Sequence, residues 1–343
     1  MRWTNVLVIF ATFFAYISPF VNPINFWQFS FFGLIYPWLL LANLLFVGLW
    51  IFRKKKYFLF SLGCILIGWG HVISFVGLNF GGETTVENSI TVASYNIYNF
   101  KKIYKRSDSN EVKRKKENEF VNFLQQGGVP QILCTQETSI ADSKFIQERF
   151  NLPYVHNISY KWTFIFSKFP IVNSGYVDIE TRHNSCVWAD LKINNQIIRV
   201  YSIHLQSNRI SSTADKVLAE GDLRSKETLK DIKGMMGKFR FFTKLRAKQA
   251  KLVADHIANS PHSVIICGDF NDTPQSFTYQ ILTKNLKDTF KEKGKGFGTT
   301  YAGSIPALRI DYILVDNKIK VHSHKILKEN FSDHYPVICK ISL

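Results

Sequence analysis

The first 82 of the 343 residues contain neither aspartate nor glutamate, and their only basic residues are Arg2 and the cluster Arg53-Lys54-Lys55-Lys56. Three apolar runs fill this stretch, residues 3–20, 31–52 and 57–78. A helix that crosses a bilayer needs about 20 mostly apolar residues, so the second and third runs meet that length and the first is borderline. Two other readings compete with spanning helices: a cleaved signal peptide for the first run, and a buried globular hairpin for the other two. A single positive charge precedes the first run and no small-residue cleavage pattern follows Phe20, so it reads as a retained span. About three transmembrane helices are therefore expected within residues 1–80. The basic cluster lies in the short connection between the second and third runs, which puts it and the N-terminus on the cytoplasmic side. The chain then emerges after Leu78 on the outer face through a linker at 81–89. The expectation is a multi-pass inner-membrane protein whose remainder lies in the periplasm.

With five of the 43 Lys and Arg in the first 82 residues, 38 remain against 26 Asp and Glu, a net of +12 for the rest. Such a surface suits polyanions or anionic lipid headgroups, and equally an ordinary lysine-rich exterior, so charge alone decides nothing. The five cysteines show no CxxC and no Cys/His metal spacing, and four of them lie in or beside apolar runs after residue 130. They read as buried free thiols.

From residue 89 the pattern is of short apolar strands that each end on a polar residue. Ser89–Ile97 delivers Asn96; residues 131–134 lead to Glu137; residues 197–204 end on His204. The run Ser263-Val264-Ile265-Ile266-Cys267 opens into Gly268-Asp269-Phe270-Asn271-Asp272-Thr273-Pro274. Positions i and i+2 of an extended chain point the same way, so Asp269 and Asn271 can converge while Phe270 anchors the opposite face. The same residue types also make an ordinary turn. Helices are expected over 111–126 and 140–150, and through much of 208–260, with further strands at 161–167, 171–179, 186–193, 309–315 and 319–324. The basic stretch 101–117 reads as a solvated face or a phosphate-attracting rim.

Together the strand ends supply Asn96, Glu137, His204, Asp269, Asn271, Asp311, Asp333 and His334. Oxygen-rich donors with few nitrogens and no cysteine favour a hard divalent ion, Mg²⁺ or Mn²⁺, over structural zinc. Such an ion polarises a phosphoryl oxygen and neutralises charge on a leaving oxygen. The adjacent Asp333-His334 pair places a carboxylate and an imidazole where an oxyanion could develop.

Seven segments in order, SYNI, TQE, SKFPI, SIHLQS, GDFNDTP, RIDYILVD and SDHYPV, resemble the endonuclease/exonuclease/phosphatase superfamily over residues 90–343. That group includes pancreatic deoxyribonuclease, apurinic/apyrimidinic endonucleases, inositol polyphosphate 5-phosphatases and neutral sphingomyelinases; this chain resembles a membrane-anchored bacterial member nearest the deoxyribonuclease and sphingomyelinase branches. The resemblance implies an α/β fold, a four-layer sandwich of two mixed β-sheets face to face with helices outside. It implies Glu137 as main Mg²⁺ ligand with Asn96 and Asp333 beside it. Asp269 would be the base for the attacking water, and Asn271 the holder of a phosphate oxygen. His334, oriented by Asp311, would stabilise the transition state, and His204 would assist the leaving group. Tyr98 stands where the apurinic endonucleases place a metal-supporting acid, which speaks against DNA repair. The implied activity is phosphodiester hydrolysis of a nucleic acid or a phospholipid headgroup at a bilayer, with no protein partner. The competing reading is a catalytically weak, membrane-tethered module that binds a polyanion.

Overall fold

Short β-branched runs bounded by Gly, Asn, Asp and Pro become fourteen strands among the residues that the computed structural model describes, which are 1–81, 86, 88–104, 107–158, 161–181, 184–208, 217, 225–303 and 305–343. Most of the linker, two residues of the basic stretch and the first part of the 208–260 insertion lie outside these residues. In chain order the strands are β1 (Val76–Leu78), β2 (Ile90–Asn96), β3 (Ile132–Gln136), β4 (Tyr154–His156), β5 (Phe164–Ser167), β6 (Ile171–Val177) and β7 (Ser185–Ile193). They continue with β8 (Gln196–His204), β9 (Ser263–Asp269), β10 (Leu286–Asp288), β11 (Lys295–Phe297), β12 (Asp311–Asp316), β13 (Lys320–Ile326) and β14 (Val337–Ser342).

Two six-stranded sheets form, ordered β13-β14-β2-β3-β5-β4 and β10-β12-β9-β8-β7-β6. Each is mixed, with one parallel pair at its centre, β2 with β3 and β8 with β9. A parallel pair needs a crossover, and here helices supply it: Asn110–Gln125 between β2 and β3, and Lys226–Ala258 between β8 and β9. β2 and β3 are buried at every residue, as strands covered on both faces must be. Val92, Cys134, Val187, Val200, Ile265 and Val337 fill the space between the sheets. Phe120, Leu124 and Ile146 of the outer helices cover one sheet, while Ala250 and Val253 cover the other. Helices, sheet, sheet and helices thus give four layers.

The first 78 residues form a helical bundle with an inverted surface. Phe10, Leu44, Leu45, Leu66 and Ile67 face outward, whereas Asn5, Thr12, Asn43 and Ser61 are buried. The buried polar groups pair across helices. Trp50 Nε1 donates to Asn5 Oδ1 at 2.9 Å, Asn5 Nδ2 to Ser61 Oγ at 2.6 Å, and Asn43 Nδ2 to Thr12 Oγ1 at 2.8 Å. At one end the Arg2 guanidinium sits 4.5 Å from the Tyr57 ring, near the Arg53–Lys56 cluster. At the other end Tyr16 stacks on His71 and packs against Tyr36, and there the bundle meets the sheets. Gly33 makes that meeting possible, since a Cβ there would lie 2.2 Å from Gln275 O. Trp27 and Phe31 pack on Phe239, and β1 pairs with β11.

The expectation of about three spans is corrected here. Among the described residues only Arg2–Phe20 is by itself long and apolar enough to cross a membrane. The second run is two helices, Gln28–Leu34 and Tyr36–Phe52, bent by 60° where Tyr36-Pro37 starts a new helix, and they qualify only as a joint span. The third run yields Phe58–Ile67, ten residues or about 15 Å, half a bilayer core. Gly68 ends it, and the remaining apolar residues enter a short helix, Trp69–Val72, and then β1.

Candidate active site

All eight strand-end residues lie on one edge of the two sheets. The parallel register pairs Asn96 with Gln136, immediately before Glu137, and pairs His204 directly with Asp269. The carboxyl ends of both central pairs therefore face each other, where α/β sheets hold ligands. β12 runs antiparallel to β9 and starts at Asp311 opposite Asp269, while Asp333 and His334 precede β14 beside β2.

Gly268 fixes the closest of these approaches. Its φ is +152°, and a Cβ on it would lie 2.0 Å from Ile203 O on the neighbouring strand. Only glycine lets β8 and β9 pair closely enough to set His204 beside Asp269. One residue on, Phe270 is fully buried against Tyr312, ring centroids 4.7 Å apart. The chain then turns at Asn271, whose φ of +52° suits asparagine. Glu137 takes a similar left-handed conformation, φ +51°, directly after β3. Its carbonyl accepts from Asn99 N at 2.7 Å, within a left-handed turn formed by Tyr98, Asn99 and Phe100.

Asp269 is the hub. Asn96 Nδ2 donates to its Oδ2 at 3.1 Å and lies 3.3 Å from Glu137 Oε1, bridging the two carboxylates. Asn271 N donates to Asp269 Oδ1 at 2.8 Å. Asn271 Nδ2 donates to Asp269 Oδ2 at 3.0 Å and to Leu205 O at 2.9 Å, so a phosphate oxygen at this amide would take the place of one of them. His204 Nε2 is 3.8 Å from both Glu137 and Asp269, and His334 Nε2 is 3.8 Å from Asp269. The other His334 nitrogen, Nδ1, is 2.9 Å from Asp311 Oδ2. Asp333 joins less directly. Ser332 Oγ donates to Asn96 O at 2.7 Å and lies 3.3 Å from Asp333 Oδ1, so the serine tethers the Asp333-His334 turn to β2.

Burial, with Asp311 adding, lifts the Asp269 carboxyl to about 6 against the pull of His334 and His204. Burial opposes charge on His334 as well, but Asp311 and Asp269 outweigh it and raise the imidazole to about 10. Asp311, His334 and Asp269 thus form a chain in which a protonated imidazole sits between two carboxylates. Their ligand atoms all lie within 4.8 Å of one another, close enough together to hold a metal ion. Glu137 is the more open carboxylate, with a quarter of its side chain exposed.

Three supports escaped the sequence reading. Ser332 stands inside a quoted segment without an assigned role. Thr300 Oγ1 accepts from the backbone N–H of Ile310 and Asp311, at 2.9 and 3.0 Å, and so fixes the start of β12. Arg246, fully buried, donates to Asp272 Oδ2 at 2.9 Å and to Gln206 O at 2.8 Å, tying the long helix to the loops after β9 and β8. A charge on a stripe shared with Phe239, Ala250 and Val253 was the available signal for it.

A family model described as "Endonuclease/Exonuclease/phosphatase family" matches residues 93–334, and a domain of unknown function matches residues 1–75. No curated protein matches the chain. Among solved structures, an endonuclease/exonuclease/phosphatase family protein from Bacteroides thetaiotaomicron aligns at 17% identity and TM-score 0.52, covering 74% of this chain and 95% of that one. A mannosyl-6-phosphatase from the same organism aligns at 18% identity and TM-score 0.51, covering 74% and 100%. A humanized D. rerio TDP2 aligns at 16% identity and TM-score 0.52, covering 74% and 99%. At these identities the likeness is one of fold.

Proposed function

The chain belongs to the endonuclease/exonuclease/phosphatase family, and on that premise we propose that it is a divalent-metal-dependent phosphodiesterase anchored in a bacterial inner membrane with its catalytic domain on the outer side. Members of the family are hydrolases of phosphoester bonds. The observation that carries the reading is the setting of Asp269: a fully buried carboxylate between two asparagines and two imidazoles, held near the pH at which a general base works best.

The donor set fits a hard divalent ion. Glu137, Asp269, Asp311 and Asp333 gather at one sheet edge against two imidazoles, a surplus of oxygen charge that Mg²⁺ or Mn²⁺ would neutralise. Glu137 would hold it, with Asn96 and Asp333 beside it, since Asp269, Asp311 and His334 are engaged with one another. Bound there, the ion would supply positive charge for a phosphoryl oxygen and the departing oxygen. Asp269 Oδ2 takes the proton of the attacking water. His334, kept protonated by Asp311, donates from Nε2 to a nonbridging oxygen. Asn271 Nδ2 holds a second oxygen on release from Asp269. His204, across the cluster, serves the leaving group.

The membrane reading rests on the bundle. Its apolar side chains face outward, its polar ones are paired inside, and all five of its basic residues gather at the end away from the sheets. Basic ends stay in the cytoplasm. A cytoplasm-only reporter enzyme fused to the C-terminus should be silent, and activity from it would overturn this orientation.

For the chemistry, full-length protein in a nonionic detergent should hydrolyse bis-p-nitrophenyl phosphate with Mg²⁺ and stop with EDTA. Asp269→Asn and Glu137→Gln should each lower the rate by about 10²- to 10⁴-fold. Retention of activity in both variants would refute the assignment. Salt-dependent DNA binding without turnover would replace it with a binding module. A panel of DNA, RNA, sphingomyelin, phosphatidylinositol phosphates and p-nitrophenyl phosphate then separates nuclease, lipid and monoester chemistry.

A further inference from the structure

The bundle is fastened to the sheets at their catalytic edge. After β9 the chain passes from Asn271 through Asp272 to Thr273, whose Oγ1 reaches Gly33 O of the bundle at 3.5 Å. On the other side of the cluster, Gly298 N donates to Phe75 O of the bundle at 2.9 Å, directly after the β1–β11 pair. Two residues further, Thr300 holds the start of β12 through Oγ1, and its carbonyl accepts from Tyr335 N at 2.6 Å. Ala302 N donates to Asp333 O at 2.7 Å. Asn271 and Thr300 are thus each two residues from a bundle contact, and two residues of chain span at most about 7 Å.

This end of the bundle is the one away from Arg2 and Arg53–Lys56, and its rim is apolar. Phe20 and Phe26 are exposed there, as are Phe80 and Phe297 where β1 and β11 leave the bundle. The helix Lys226–Ala258 joins the same rim. Its Phe239 packs on Trp27 and Phe31, and Phe241 is exposed beside Lys238 and Arg240. Aromatic side chains among basic ones, level with the end of an apolar bundle, suit the boundary between acyl chains and headgroups. The headgroup layer is about 5–8 Å deep on each side of the hydrocarbon core, close to the reach from the bundle contacts to Asn271 and Thr300. A domain that acts on a dissolved polymer needs only a flexible tether. Here strand pairing and aromatic packing hold the catalytic edge at one height.

We propose that the catalytic edge faces the bilayer and that the substrate is a phosphodiester lipid cleaved at headgroup depth. The proposal rests on the phosphodiesterase reading and on the membrane reading of the bundle. Water adds its oxygen to phosphorus and passes a proton to Asp269. One ester P–O bond breaks, and the departing oxygen regains a proton and leaves as an alcohol, with a phosphomonoester as the other product. Whichever product carries the acyl chains stays in the bilayer.

The test uses full-length protein in vesicles of digalactosyldiacylglycerol, which contain no phosphate. With Mg²⁺, hexadecyl p-nitrophenyl phosphate, embedded in the vesicles, should be hydrolysed at least tenfold faster than soluble methyl p-nitrophenyl phosphate at equal bulk concentration. The variant Phe26→Ser/Phe241→Ser, changed at two exposed positions, should lose at least fivefold on the hexadecyl ester and stay within twofold on the methyl ester. A smaller preference in the wild type, or equal losses on both esters in the variant, would overturn the proposal in favour of a dissolved substrate. Hydrolysis of neither ester would refute the phosphodiesterase reading and this proposal with it. Facing is read separately, without turnover, in EDTA. The native cysteines are buried, so a fluorophore on Phe241→Cys reports one position. It should be quenched by a nitroxide on phosphatidylcholine headgroups, and one on Asp255→Cys, at the far end of the same helix, should not. Equal quenching at the two positions would overturn the proposal even in a variant that folds poorly. Release of the wild type from membranes by alkaline carbonate would refute the membrane reading, and this proposal with it.

Discussion

Inside the bundle of residues 2–72 the buried groups include Asn5, Thr12, Asn43 and Ser61, while between the two sheets they are Val92, Cys134, Val200, Ile265 and Val337. The surfaces differ in the opposite sense, with phenylalanine and leucine outside the bundle and lysine around the sheets. One chain thus follows two rules of burial. The sheets gain stability by removing apolar area from water, about 25 cal/mol per Å². On the proposed membrane reading the apolar bundle would be surrounded by lipid and would gain little that way, so packing and interhelical hydrogen bonds would have to hold it. Backbone proximity contrasts as well: β8 and β9 meet at Gly268 with no room for a methyl group, whereas Gly48 in the helix Tyr36–Phe52 has nothing within 4 Å of its missing Cβ.

That contrast carries the largest expected effect. Gly268→Ala should cost more than about 4 kcal/mol, because the clash is with backbone and cannot be relieved by a rotamer. Gly48→Ala should stay within about 1 kcal/mol and shift toward greater stability, as a helix interior gains from the exchange. Thermal unfolding of both full-length variants in detergent measures the difference. Wild-type stability in Gly268→Ala would show that the strands can separate there without loss.

Acid should distinguish the regions next. Burial is the main cause that lowers His324, to about 3, so it is neutral in the folded protein. Below its ordinary value of about 6.5 the unfolded chain takes up a proton that the folded chain refuses. The stability it contributes is therefore complete above pH 6.5 and is lost as pH falls toward 3, by about 1.4 kcal/mol per unit, or about 2 kcal/mol by pH 5. His156 and His256 are lowered by burial in the same direction, so a residual slope should persist in His324→Gln. The bundle has no aspartate or glutamate to protonate, and helical circular dichroism should outlast the sheet signal. An unchanged slope in His324→Gln would show that the histidine is not held neutral.

How far the sequence could be read follows the same division. β2, β3, β8 and β9 were legible because each is a short apolar run ended by a polar residue, and β12 because such a run begins on one, Asp311; those positions are the cluster. Local pattern could not show what depends on distant partners. The pairing of β1 with β11 joins residues over two hundred positions apart. The buried Arg309–Asp288 pair, 2.6 Å at its shortest, and the Arg246–Asp272 pair likewise join separate elements. The turn Tyr98–Phe100 is left-handed without a glycine to announce it. Hydropathy counted residues 57–78 as one span because it does not register that Gly68 ends a helix and that residues from Val76 onward find a strand partner. Gly234 and Gly237 lie within the single helix Lys226–Ala258, in the stretch expected to be largely helical.

The smallest effect tests the bundle directly. Asn5 is 3% exposed and joins three helices, accepting from Trp50 Nε1 and donating to Ser61 Oγ. Asn5→Ala removes both bonds and leaves the indole N–H without a partner. In water-soluble cores such an orphan costs about 1–3 kcal/mol. Between helices in lipid the measured worth of a polar contact is lower, about 0.6 to 2 kcal/mol, because the separated helices also find partners. A loss of about 1 kcal/mol, read as a fall in the unfolding midpoint of the full-length protein in detergent, is therefore expected. A loss above 3 kcal/mol would mean that the bundle obeys the same rule as the sheets, and the difference between the two regions would then be one of composition rather than of surroundings.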